Sequence, residues 1–176
     1  HGEDGLGSID LDVGSIHGPH TGQGWPQDLR ALTSTGSGDV YAVMDGCLFK
    51  RNAPGVAAGW SKVAGCDANT FPMDADAKVL TMEVFGGDAY VSIDGEGVLR
   101  YNLASSTSTI WSSANVLHSD TVTSIVQMGP QILFGSEDAG IARYNPALNL
   151  WQATWSSANW LADDDVNGMV IQNTSL

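Results

Sequence analysis

Trp111-Ser112-Ser113-Ala114-Asn115 recurs letter for letter as Trp155-Ser156-Ser157-Ala158-Asn159, 44 positions later. Ahead of it, Gly97-Val98-Leu99-Arg100-Tyr101-Asn102 returns as Gly140-Ile141-Ala142-Arg143-Tyr144-Asn145, 43 positions later. A period in the low forties, built from short strand-like pieces, reads as the four-stranded blade of a β-propeller.

Working outward, each unit opens on a segment with apolar first and fourth positions: Leu29 to Leu32, Val79 to Met82, Val122 to Ile125 and Val166 to Met169. These are the innermost strands, with small residues (Ala31, Thr81, Ser124, Gly168) facing a crowded axis. A second strand follows in Asp39 to Val43, Asp88 to Ile93 and Gln131 to Gly135, rich in β-branched and aromatic residues. Acidic turns close it at Asp45-Gly46, Asp94-Gly95-Glu96-Gly97 and Glu137-Asp138-Ala139-Gly140. An Asp-Gly pair supplies the positive φ of a two-residue hairpin turn. The third strand is Leu48 to Arg51, Val98 to Tyr101 and Ile141 to Tyr144; the fourth carries Trp60, Trp111 and Trp151 to Trp155.

The first residues enter the pattern partway. Gly5 to Leu11 aligns with Gly97 to Leu103, and Glu3-Asp4 with the acidic turn. The expectation is therefore an all-β propeller segment with blade parts over 1–28 and whole blades over 29–78, 79–121 and 122–165. The first strand of a next blade then falls over 166–176. That gives fifteen strands where four blades need sixteen, and no helix. The Asp67 to Lys78 loop lengthens the first whole blade.

Composition narrows the partners. Formal net charge is −13, with 7 Lys and Arg against 20 Asp and Glu. Phosphate backbones require clustered cations, so nucleic acid is not an expected partner, nor is an anionic membrane surface. No apolar run is long enough for a membrane-spanning helix, so no membrane insertion is expected. Strong acidity suits an extracellular or cell-surface protein. Cys47 begins a third strand and Cys66 follows the fourth strand of the same blade, roughly opposite across the hairpin. A Cys47–Cys66 disulfide is expected, against the alternative of two buried thiols, and implies an oxidising compartment. Asn173-Thr174-Ser175 is a glycosylation sequon.

The arrangement of inner strand, turn, second strand, Gly, Arg-Tyr-Asn and Trp resembles the propeller repeats of two-component-regulator sensor domains in secreted prokaryotic proteins. It covers nearly the whole chain and is clearest from Val79 to Gln172. WD40 and kelch repeats fit less well, because no Gly-His and Trp-Asp pair falls at blade spacing and no Gly-Gly pair recurs. The resemblance implies a binding or sensing scaffold rather than a catalyst. Its usual seven or so blades exceed what lies here. The expected partners are thus the remainder of a larger propeller or other copies of this chain.

Candidate chemistry is sparse. Asp94 and Glu96, with Asp163-Asp164-Asp165, are candidate oxygen ligands for Ca²⁺, although Asp also favours turns for its own hydrogen bonds. No other cofactor is expected. Trp111, Trp155 and Trp160 are candidate stacking platforms for a carbohydrate; the competing role is packing between blades. Arg100 and Arg143 are expected to pair with the acidic turns. His1, with His17 or His20, has the residue types of a copper chelate, as in lytic polysaccharide monooxygenases, but Glu3-Asp4-Gly5 beside it reads as a blade turn. No nucleophile motif or phosphate loop occurs, so catalytic residues are expected to be none. Three functions follow in order: a non-enzymatic binding or assembly scaffold outside the cell, a lectin or ligand-sensing propeller, and a polysaccharide-active enzyme.

Overall fold

A computed structural model describes residues 28–52, 59–65, 70–74 and 76–171, with the backbone of 9–10 and 15–16. Its fourteen strands leave no helix among the described residues. A short pair, β1 (Ile9–Asp10) and β2 (Ser15–Ile16), comes first. Three four-stranded antiparallel sheets follow, each a meander in which sequence neighbours pair. The first is β3 (Leu29–Ser34), β4 (Val40–Met44), β5 (Cys47–Arg51) and β6 (Trp60–Ala64). The second is β7 (Val79–Phe85), β8 (Asp88–Ile93), β9 (Gly97–Asn102) and β10 (Thr107–Trp111). The third is β11 (Val122–Met128), β12 (Gln131–Ser136), β13 (Ile141–Asn145) and β14 (Leu150–Trp155). We call these blades 1, 2 and 3. Inner strands β3, β7 and β11 contact in turn, as blades around an axis do.

Local chemistry explains the repeated letters. Asp45 and Gly46 take φ of 48° and 72°, the two positive values that a tight hairpin between β4 and β5 demands. The Asn of Arg-Tyr-Asn builds the next hairpin. Asn102 Oδ1 accepts from the backbone N–H of Ala104 (3.1 Å) and Ser105 (2.8 Å). Asn145 Oδ1 does the same for Ala147 (3.1 Å) and Leu148 (3.2 Å). Such Asx turns fix hairpin register. The pairings Asn102 with Thr107, Asn145 with Leu150 and Asp10 with Ser15 share one spacing, so β1 and β2 repeat the same hairpin.

Trp-Ser-Ser-Ala-Asn is the loop that carries the chain to the next blade. Ser112 N–H donates to Asn115 Oδ1 and Ser156 N–H to Asn159 Oδ1, both 2.9 Å. Asn115 and Asn159 donate back to the carbonyls of Ile110 and Thr154, both 3.1 Å. Ser113 N–H and Oγ both reach the Asp120 carboxylate at 2.6 Å. Ser157 grips Asp164 in the same way, at 2.5 and 2.8 Å. Those bonds hold the Asp120 carboxyl below its ordinary pKa, the Ser113 hydroxyl first and its N–H second.

Two apolar cores lie between blades. One joins blade 1 to blade 2 around Tyr41, Leu48, Val91, Leu99 and Tyr101; the other joins blade 2 to blade 3 around Tyr90, Trp111, Phe134 and Tyr144. A third cluster (Ala42, Met44, Cys47, Phe49) covers the other side of blade 1.

One expected strand is absent. Residues 166–171 carry no ladder, because no second strand lies beside them among the described residues. They still occupy an inner-strand place. Val166 N–H donates to the Ser136 carbonyl at 2.8 Å, and Thr123 Oγ1 donates to the Val166 carbonyl. In the preceding repeat the equivalent carbonyl, that of Val122, accepts instead from Ser92 Oγ on the second strand of blade 2, at 2.5 Å.

Candidate binding faces

Register places Trp111 and Trp155 at equivalent positions, opposite Val98 and Ile141. Their surroundings differ. Trp111 is 7% exposed. It meets Tyr144, Trp151 and Phe134 of blade 3 edge-on, at centroid distances of 4.8, 5.0 and 5.9 Å. Such pairs add about 0.5–1.5 kcal/mol each beyond area burial. Trp111 is therefore packing between blades, not a free sugar platform. Trp155 is half-buried, with the Arg143 guanidinium 4.5 Å over its ring. Trp160 is 77% exposed and Val170 88%, whereas Val116, the counterpart of Trp160, packs into the core between blades 2 and 3. Trp160 and Val170 thus leave apolar side chains exposed in the chain that follows blade 3.

The arginines do not pair with the acidic turns. Arg100 instead holds Asp88, at the start of β8, through Nε (2.9 Å) and Nη2 (2.6 Å). Asn102 donates to the other oxygen at 2.6 Å, and Arg100 Nη1 reaches Tyr144 Oη of the next blade at 3.3 Å. The reason is pleat: Arg100 stands opposite Tyr90, on the face turned to blade 3, away from the turn. Burial first, and the Asp88 carboxylate second, push the Tyr90 hydroxyl well above its ordinary pKa. In blade 3 Gln131 stands where Asp88 does. Arg143 there bonds Gln131 Oε1 (3.1 Å) and Gln152 Oε1 (2.6 Å). In blade 1 the pair is Lys50 and Asp39, at 3.0 Å and more exposed. The repeated acidic start of the second strand was a signal for this pairing that the turn assignment overlooked.

Of the candidate calcium ligands, Asp94 pairs with Lys78 Nζ at 2.7 Å, which raises the lysine pKa. Asp164 is spent on Ser157, and Asp163 caps the backbone N–H of Asp164 at 2.7 Å. Among the described residues no three or more His, Cys, Asp or Glu side chains gather as a metal site. Asp94 and Glu96 thus do not join Asp163, Asp164 and Asp165. Cys47 is buried at the start of β5. Its expected partner Cys66, the sequon Asn173, and His1, His17 and His20 lie outside the described residues.

The interface between blades 1 and 2 holds a feature the sequence reading missed. Ala64 stands opposite Leu48, where blade 2 has Trp111 opposite Val98. Phe71, fully buried, fills the vacated space from the long loop and meets Tyr101 edge-on at 5.7 Å. Near the turns that join first and second strands, the same interface opens into a groove of about 360 Å³. Thr35, Ser37, Asp39, Tyr41, Phe85 and Gln127 line it, so all three blades contribute. Thr35 Oγ1 lies 2.8 Å from Ser37 Oγ and 3.1 Å from the Asp39 N–H.

No family model matches the chain. No curated protein matches it either. Solved structures do. The extracellular domain of a hybrid two-component system from B. thetaiotaomicron matches 85% of this chain at 22% identity and TM-score 0.59. A second such domain from B. thetaiotaomicron matches 78% at 12% identity and TM-score 0.55. This chain spans only 19% and 20% of their lengths. The computationally designed Ika4 protein matches 87% of this chain at 11% identity and TM-score 0.54, with 84% of its own length covered. At such identities the likeness is one of fold. Three consecutive four-stranded meanders, packed face to face, together with these neighbours, make the chain an all-β propeller segment of the kind its repeats announced.

Proposed function

We propose that this chain is a non-enzymatic extracellular propeller module that works by assembly with further blades, in a larger propeller or against other copies of itself. One observation carries the reading: Trp160, after blade 3, and Val170, in the segment beyond it, are exposed and Trp155 is only half-buried, while Trp111 and Val116 of blade 2 pack against blade 3. Large apolar side chains left exposed where the preceding repeat buries their counterparts mark an interaction surface. The adjacent residues 167–171 carry no ladder, and a segment of that kind favours strand pairing. The sensor domains among the structural neighbours support the extracellular setting. A Cys47–Cys66 bridge belongs to the same proposal; among the described residues no cysteine is free.

Sedimentation of the full chain tests assembly. The expected result is a mass above one chain that falls to one chain in Trp155→Asp and Trp160→Asp. A monomer at every concentration, with both tryptophans open to a collisional quencher, overturns self-assembly.

The neighbours and the groove between blades 1 and 2 favour a second reading, that of a ligand-binding or sensing propeller, with carbohydrate as the ligand class that the exposed tryptophans suit.

A further inference from the structure

A cation stands at the same place in all three blades, and the last of them lacks its counter-charge. Lys50, Arg100 and Arg143 lie opposite Tyr41, Tyr90 and Leu133 of their second strands. Asp39 holds Lys50 at 3.0 Å and Asp88 holds Arg100 at 2.6 Å, so blades 1 and 2 neutralise their own cations. In blade 3 the acidic residue is replaced by Gln131. Arg143 donates only to uncharged oxygens: Gln131 Oε1 at 3.1 Å, Gln152 Oε1 at 2.6 Å and the Ala153 carbonyl at 3.4 Å. No ion pair among the described residues includes it.

The contact between blades 2 and 3 shows what a neighbouring blade does to such a side chain. Arg100 lies 5.4 Å from the Trp111 ring and 5.8 Å from the Tyr144 ring, and its Nη1 donates to the Tyr144 hydroxyl at 3.3 Å. Blade 3 thus removes water from the guanidinium, and buried Asp88 offsets that loss. Arg143 is set up in the same way, 4.5 Å from the ring of Trp155, the counterpart of Trp111. A further blade seated on blade 3 as blade 3 is seated on blade 2 would remove water from Arg143 as well. Gln131 and Gln152 bring dipoles to it but no charge. Covering a guanidinium without a carboxylate is costly, so the compensating charge has to arrive with the incoming blade.

We propose that the neighbour of blade 3 is a further blade that presents an aspartate or glutamate to Arg143, at the place where blade 3 presents Tyr144 to Arg100. This rests on the assembly reading above, in its larger-propeller form, and gives the neighbour its chemistry. The test extends the full chain by one blade. At the 44-residue offset of the repeat Leu176 takes the place of Ile132, so a second copy of residues 133–165 is appended after it. Versions with Tyr144→Glu and with Tyr144→Gln in the appended copy are compared by denaturant unfolding. The Glu version should fold more favourably than the Gln version by about tenfold in equilibrium constant, the low end of couplings between facing charges. That advantage should vanish in Gln131→Asp, which gives the original blade 3 the acid that blades 1 and 2 carry. Equal stability of the two versions, or an advantage that persists in Gln131→Asp, overturns the proposal. Assembly then still stands if the appended blade shields Trp155 and Trp160 from a collisional quencher. If both tryptophans stay open to the quencher in every version, the assembly reading falls with it.

Discussion

The contact of blade 1 with blade 2 and that of blade 2 with blade 3 solve one packing problem by different means. In the second, the outermost strand carries Trp111 into the gap, and four rings (Tyr90, Phe134, Tyr144, Trp151) close around it. In the first, Ala64 leaves that place vacant and the long loop lowers Phe71 and Met73 into it. The bulk needed is a property of the gap; the segment that supplies it is free to change. A strand-borne ring is held by ladder hydrogen bonds on its own sheet. A loop-borne ring depends on the loop staying docked.

The largest effect is expected at the filled gaps. Trp111→Ala should destabilise by about 3–5 kcal/mol in denaturant unfolding, since a close-packed aromatic site cannot collapse. Trp155→Ala, at the equivalent register on an uncovered face, should cost under about 1 kcal/mol in the isolated chain. Equal losses at the two sites would show that the face of blade 3 is covered after all.

Phe71→Ala should come next, at about 3 kcal/mol, for the same reason. It sharpens the comparison further by its locality. Hydrogen exchange should rise in blades 1 and 2 and not at β11 to β14. A change spread evenly over all three blades would mean the loop-borne ring is no weaker a seal than Trp111.

A smaller difference separates the ion pairs. Asp88, 4% exposed and holding Arg100 and Asn102, should cost about 2–3 kcal/mol on replacement by Ala, because a partly buried guanidinium is left without its partner. Asp39→Ala removes a surface pair with Lys50 and should cost no more than about 1 kcal/mol. Double-mutant cycles with Arg100 and Lys50 measure both couplings. A stronger coupling in blade 1 would reverse this ranking of the two pairs.

The smallest effect is a pH dependence. Half-burial raises the Glu83 carboxyl, although the hydrogen bond from Thr33 Oγ1 of blade 1 (2.8 Å) acts against it. A carboxyl raised in the folded state binds more protons there than in the unfolded chain. Its contribution is therefore favourable at low pH and declines as pH rises from the ordinary glutamate range through the raised value. Glu83→Gln should remove that decline and keep an acceptor for Thr33. Parallel stability curves for parent and variant would show that the carboxyl is fully solvated.

Much of the fold was legible because a duplicated unit prints its constraints twice. Asn102 and Asn145, or Ser113 and Ser157, recur since each backbone turn needs the same side-chain acceptor or donor. The unrepeated parts were harder to read. Phe71 has no counterpart at its register, and only the absence of a tryptophan at Ala64 pointed to it. The acidic residue that meets Arg100 was sought in the nearest turn, because sequence distance says little about which side of a pleat a side chain takes. The last inner segment has the right letters, but a strand is a pairing, and a single segment cannot supply its own neighbour.

Gly97 and Gly140 carry a consequence for anyone who would recombine these blades. At each, a Cβ would stand 2.1 Å from the carbonyl oxygen of the tryptophan that ends the outer strand, Trp111 or Trp155. Each glycine thus answers to the backbone that ends the outer strand, although 14 and 15 positions separate the two. Blade 1 breaks both halves together: Ala64 replaces the tryptophan and Cys47 stands where the glycine would be. A chimaera or consensus repeat that sets the Cys47 side of blade 1 against the outer strand of blade 2 or 3 would drive a side chain into a main-chain carbonyl. The unit of exchange is the whole outer hairpin.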